Sequence, residues 1–168
     1  MDALTEKLSR ITLLLMDCDG VLTDGRLYYT DKGETLKVFD VKDGQGIALW
    51  HAAGFQSGII TGRPGLGIVE RRGAELGMHF VRDASTDKVA DLNSILELSG
   101  SLAESAAFIA DDIGDLAVMS SVGISFAVAD AVDIVKDQAD HVLSRNGGRG
   151  AVREAIDLIL SAKGLTDQ

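Results

Sequence analysis

The chain is poor in the residues that staple or interrupt a fold. Its 168 residues include one cysteine, Cys18, and one proline, Pro64. A single cysteine excludes an internal disulfide and any zinc site built on several cysteines. Aromatic residues make up only 5% of the chain, so a core must come mainly from Leu, Ile, Val and Ala. No apolar run approaches the roughly 20 residues of a membrane span. The opening MDALTEKLSR lacks the apolar stretch of a signal peptide. A cytoplasmic protein with no membrane partner is therefore expected. Basic residues are scarce as well: 16 Lys and Arg stand against 26 Asp and Glu, a formal charge of −10. This balance argues against nucleic acid as the main partner, because holding a phosphate backbone takes stripes of Lys and Arg. It leaves room for a small phosphorylated ligand, whose charge a local cation can meet.

What is present points to one packed domain over residues 1–168. Hydrophobic residues reach 46% and glycines number 19, which fits regular elements joined by glycine-containing loops. Residues 11–16, ITLLLM, form a short continuous apolar run, as in a parallel strand buried on both faces. FQSGIIT (55–61), MHFV, AAFIA (106–110), ISFAVA and DHVL are further strand candidates. RLYYT and LKVFD flank DKGE, which predicts a β-hairpin over about 26–40. Helical patterns cover Gly44–Ala53, a stretch from Pro64 to about Leu76, and a stretch to Leu98 capped by Ser85 or Thr86. Ser101 to Glu104 has the form of a capping box for a very short helix. Residues 148–163 form an amphipathic helix with Val152, Ile156, Ile159 and Leu160 on one face. Strands alternating with helices predict an α/β fold with a parallel central sheet flanked by helices.

Two acidic clusters follow buried-strand candidates. One is Asp17-Cys18-Asp19-Gly20 with Asp24; the other is Asp111-Asp112 with Asp115. Ligands of open α/β sheets bind at the carboxyl ends of strands. Two carboxylate clusters there would repel each other without a cation, and an oxygen-rich set suits Mg²⁺. Thr61, Gly62 and Arg63 follow another strand candidate and offer a hydroxyl, a backbone N–H and a guanidinium to a phosphate. Lys88 near a helix start is a further candidate cation.

These residues carry a resemblance. DCDGVLTDG is similar to the DxDGVxxDG pattern of the haloacid dehalogenase (HAD) superfamily. TGR, Lys88 and ADDIGDLAVM resemble its later motifs, in order. From about Ile11 to Ile159 the chain resembles the 3-deoxy-D-manno-octulosonate 8-phosphate phosphatases, through GRLYYTDKGETLKVFDVKDGQGI, ITGR, VGISFAVADA and GGRGAVREAIDLIL. The resemblance implies a capless, Rossmann-like HAD fold with a hairpin flap. It implies a Mg²⁺-dependent phosphatase in which Asp17 is the nucleophile and Asp19 the acid and base. Asp17, Asp111 and the Asp19 backbone carbonyl would meet the metal, with Asp115 and Asp112 supporting them. Thr61 and Lys88 would hold the phosphoryl group. Gly62, Arg63, Arg72 and Arg149 would lie near a sugar-acid phosphate. A homotetramer is implied, the hairpin of one subunit covering a neighbour's site. The chain departs from the family pattern at Ala110, at Ala117, near Val132 and in DASTDK.

Two rivals are a nine-carbon acylneuraminate 9-phosphate as substrate and a catalytically silent binding module, whose mark would be loss of Asp17, Asp19 or Lys88. A phosphotransferase shares these residues but needs its phosphoenzyme shielded from water. Cys18 reads as a small core residue, since Asp19 and Asp24 oppose a thiolate. His51, His79 and His141 lack metal-ligand spacing.

Overall fold

The structure, a computed structural model, describes residues 3–165. After a first helix, α1 (Ala3–Arg10), the run at 11–16 yields strand β1 (Leu13–Met16), whose four side chains are all buried. The hairpin follows as β2 (Tyr28–Thr30) and β3 (Gly33–Leu36), antiparallel and outside the main sheet. It is shorter than the apolar pattern predicts: residues 37–40 leave the strand and lead into α2 (Val41–Ala52), capped by Asp40, which accepts from Lys42 N. Next come β4 (Gln56–Ile60), α3 (Ile68–Glu75), β5 (Phe80–Arg82), α4 (Lys88–Ser99) and β6 (Ala106–Ala110). The chain ends with α5 (Leu116–Met119), β7 (Ile124–Ala127), α6 (Asp133–Gln138), β8 (His141–Val142) and α7 (Ala151–Ala162).

Six strands form one parallel sheet in the order β5-β4-β1-β6-β7-β8. The chain builds outward from β1 on one side, then crosses back to start the other side with β6. The strand order therefore reverses between β1 and β6, where an open α/β sheet leaves a crevice at its carboxyl edge. β1 and β6 are buried along their whole length, which is why they read as unbroken apolar runs. α7 places Val152, Ile156, Ile159 and Leu160 in the core, as its period predicts. Asp43 of α2 is 1% exposed and accepts from Gly150 N (3.3 Å) and Arg153 N (2.9 Å), so a buried carboxylate satisfies the first amides of α7. Cys18 and Trp50 are buried; the indole N–H donates to the Gln56 carbonyl.

Three local expectations are corrected. Pro64 does not start a helix: Leu66 and Gly67 have positive φ (52° and 74°), which breaks a right-handed helix, and α3 begins only at Ile68. The cap of α4 is Asp87 rather than Ser85 or Thr86; its carboxylate accepts from Val89 N and Ala90 N. At Ser101–Glu104 there is a single 3₁₀ turn, Ala103–Ser105, without a side-chain cap. Helices α1, α5 and α6 were not anticipated.

Candidate active site

The loop after β1 carries Asp17 to Asp24, and the loop after β6 carries Asp111 to Asp115. Both leave the sheet at the point where strand order reverses. Their approach is made possible by glycine. Gly20 has φ +89°, and a Cβ there would lie 1.9 Å from Asp111 Oδ2. The opposite flank is closed by Gly147 and Gly148, where a Cβ would meet the Gly20 carbonyl oxygen at 1.7 Å and the Thr23 carbonyl carbon at 2.4 Å. Gly148 N also donates to the Val21 carbonyl (2.8 Å). The glycines before Arg149 thus buttress the first acidic loop, a role the sequence pattern did not disclose.

A cleft of about 370 Å³ opens here, lined by Asp17, Asp19, Thr61, Gly62, Arg63, Lys88, Asp111 and Asp112 among others. Lys88, the first residue of α4, reaches Asp17 Oδ2 (2.8 Å) and Asp115 Oδ1 (2.6 Å). Asp115 is 1% exposed, and its other oxygen accepts from Asp111 N (3.3 Å). Asp17 Oδ1 accepts from Cys18 N (2.6 Å). Asp112 is exposed and accepts from Ile113 N. Thr61 is buried at the end of β4, its backbone tied to Arg82 and Ser85.

Carboxylate oxygens of Asp17, Asp111 and Asp115 lie within 4.8 Å of one another, with Lys88 the cation among them. Burial, then the charge of Asp17, pushes Asp111 up to about 8; the same two causes push Asp115 up to about 6. Burial works against the Lys88 ammonium, yet Asp17 and Asp115 outweigh it and raise its pKa. Asp111 Oδ1 is buried without a hydrogen-bond partner. A buried carboxylate oxygen with no donor, beside two further carboxylates, is short of positive charge. The donor set is all oxygen, so it fits a hard divalent cation such as Mg²⁺. Both Asp115 oxygens are engaged, whereas Asp111 Oδ1 has no donor.

Sequence reasoning missed two residues that hold the cleft's lining side chains Asp19 and Arg63. Lys37, just past β3, binds Asp19 Oδ1 (2.6 Å) and Glu34 Oε1 (3.0 Å), and its side chain is 2% exposed. Glu34 also pairs with Arg63 (2.9 Å), whose Nε lies 3.4 Å from Asp19 Oδ2. The alternation of the hairpin could not reveal which of its charges turn inward. Two anticipated residues, Arg72 and Arg149, lie apart from both the cleft lining and the cluster of Asp17, Asp111 and Asp115. Arg72 sits on α3 with its guanidinium over the Phe39 ring (5.5 Å) and bound to Glu75. Arg149 lines a separate groove of about 480 Å³ beside α7 and is 3.9 Å from Asp24.

Residues 73–156 match the profile of the haloacid dehalogenase-like hydrolases. The chain is 43% identical over 159 residues to the 3-deoxy-D-manno-octulosonate 8-phosphate phosphatase of Haemophilus influenzae, covering 95% of this chain and 88% of that protein. It is 42% identical over 162 residues to the phosphatase of the same name from Escherichia coli, covering 96% and 86%. The chain belongs to the HAD hydrolases of the 3-deoxy-D-manno-octulosonate 8-phosphate phosphatase family. Solved members of that family superpose closely. A cobalt-bound form from Haemophilus influenzae gives a TM-score of 0.92 at 42% identity, covering 96% of each chain. The Moraxella catarrhalis enzyme, in complex with magnesium, phosphate and KDO, gives 0.92 at 34%, covering 98% of this chain and 94% of that one. In this HAD hydrolase the four motifs, far apart in sequence, converge on one crevice.

Proposed function

We propose that the chain hydrolyses 3-deoxy-D-manno-octulosonate 8-phosphate in a Mg²⁺-dependent reaction through an aspartyl-phosphate on Asp17. The observation that carries this is the Lys88 bridge between Asp17 and Asp115, beside an Asp111 oxygen that lacks a partner. Full-length similarity to phosphatases of that name supports the substrate.

In this reading Asp17 Oδ attacks phosphorus and the bond to the sugar oxygen breaks, splitting hydrolysis into two steps. The Cys18 amide and Lys88 hold the Asp17 carboxylate in place, leaving its Oδ atoms aimed by two fixed donors. Asp19 gives a proton to the departing alkoxide, then takes one from the water that attacks the phosphoenzyme. Thr61, Gly62 and Lys88 donate to the transferring oxygens, so positioning and charge stabilisation supply most of the catalysis. Asp17, Asp111 and the backbone carbonyl of Asp19 would hold Mg²⁺. When bound, the ion supplies the positive charge that lets these carboxylates and a phosphoryl group share one small space. Asp115 positions Lys88 and the Asp111 amide, in the manner of groups that orient a ligand shell. Arg63 stands at the cleft mouth to meet the carboxylate of a sugar acid. Residues 1–168 act as one catalytic domain in the cytoplasm. The hairpin closes a neighbour's site in a homotetramer, where Arg72 and Arg149 would take their part; its exposed Leu27, Tyr28, Tyr29 and Leu36 support this.

The test is phosphate release from a panel of sugar phosphates that includes the nine-carbon acylneuraminate 9-phosphate, with Mg²⁺ and with a chelator. The eight-carbon acid should be turned over fastest, and the chelator should abolish turnover. Asp17→Asn should lower kcat by at least about 10³-fold; retained activity would remove Asp17 from the nucleophile's role.

A further inference from the structure

Asp19 does not stand free in the cleft. One of its oxygens, Oδ1, is held at 2.6 Å by the Lys37 ammonium, and Lys37 is itself enclosed: its side chain is 2% exposed and that of Glu34, its second partner, 4%. A lysine so deeply buried between two carboxylates is costly to place unless both pairs are kept. Burial acts against the charged amine, and the hydrogen bonds to Asp19 and Glu34 outweigh it. Glu34 belongs to β3 of the hairpin, and Lys37 is the first residue after it. The hairpin's inner end is thus joined through one ammonium to a carboxylate two residues from Asp17.

We propose that Lys37 is a positioning residue for Asp19, holding its carboxyl in the orientation that serves the leaving oxygen during phosphoryl transfer, with Glu34 anchoring Lys37 to the hairpin. The proposal rests on the reading of Asp19 as acid and base. Oδ1 is held by the Lys37 ammonium and Oδ2 faces Arg63 Nε at 3.4 Å, so the shorter and more buried of the two contacts that orient this carboxyl comes from Lys37. As the Asp17 Oδ–P bond forms and the P–O bond to the sugar breaks, a proton passes from the Asp19 carboxyl to the leaving oxygen. Asp19 is left as a carboxylate paired with Lys37 and ready to take a proton from water. Removing the ammonium leaves the Asp19 carboxyl with only the longer contact to the half-exposed Arg63, and Glu34 likewise with only Arg63. Misplacing a proton donor removes the benefit of acid catalysis while nucleophilic attack itself remains.

That difference is measurable through the leaving group. An alkoxide needs a proton as it departs; p-nitrophenolate does not. The ratio of kcat/KM for a sugar-acid phosphate to that for p-nitrophenyl phosphate reports only steps up to phosphoenzyme formation. In Lys37→Met the sugar-acid phosphate value should fall about 100-fold, the size of a general-acid contribution. The p-nitrophenyl phosphate value should fall less than about fivefold. Lys37→Arg should recover part of the loss. Equal falls on both substrates would overturn the proposal, because a merely structural lysine lowers both alike. If Lys37→Met does not fold, judged by its thermal melt, the same ratio is read in Lys37→Arg and Glu34→Gln, and an unchanged ratio in both overturns it. If the wild type ignores the sugar-acid phosphate but cleaves other alkyl phosphates, the substrate assignment fails and the ratio is read with one of those.

Discussion

At the scale of single residues, the cleft depends on places where a side chain is missing as much as on those where one is present. Gly20 must be glycine twice over: its φ of +89° disfavours a Cβ, and that atom would occupy the position of Asp111 Oδ2. Gly20→Ala should therefore raise the Mg²⁺ concentration for half-maximal activity by roughly 10- to 100-fold, the usual effect of disturbing a group that orients a metal ligand. Titrating Mg²⁺ against activity, with a melt to establish folding, measures it; an unchanged midpoint would refute the account of the crevice. DCDG is legible in the sequence because the chemistry needs carboxylates there. Lys37 was not, because nothing in a run of alternating charged and apolar residues says which lysine turns inward.

Among the elements, α4 shows how a helix start delivers a charged group to the cleft. Asp87 satisfies the amides of Val89 and Ala90, and the next residue is Lys88. Its side chain then reaches back across the switch point to Asp17 and Asp115. Asp87→Ala should cost about 1 kcal/mol, as loss of an N-cap does, and lower the melting temperature by about 2–4 °C for a chain of this size. A scanning calorimetry trace would reveal it; a shift near zero would mean that tertiary packing alone holds this helix start. Strands β1 and β6 were legible because burial on both faces leaves an unbroken apolar run. The start of α3 was misplaced for a local reason: Leu66 and Gly67 are left-handed, which only the folded backbone displays. The short helix α6 escaped because its six residues hold too few turns for a period to register.

For the whole molecule, the hairpin raises the question of assembly. Among the described residues no helix is long and apolar enough to cross a membrane. The exposed side chains of Leu27, Tyr29 and Leu36 (43%, 63% and 50%) stand on a flap beside the crevice, which fits contact with further copies of the chain. Sedimentation at micromolar concentration should give a species near four times the 17.7 kDa of one chain. Changing Tyr29 and Leu36 to serine together should dissociate it and lower activity at least about tenfold. A fully active monomer would remove the shared site.

The amino-acid order by itself determined the parallel α/β plan, through its buried-strand runs, and the chemical class of the site, through acidic loops placed directly behind two of them. Both are local properties: a period, or a functional group a few residues from a strand end. Tertiary structure alone decided that Asp115 spends both oxygens on Lys88 and a backbone amide while Asp111 keeps one free. It also decided that Gly147 and Gly148 brace a loop more than 120 positions earlier, and that Lys37 grips Asp19. Such pairings depend on the path of the chain between distant residues, which a one-dimensional pattern does not carry.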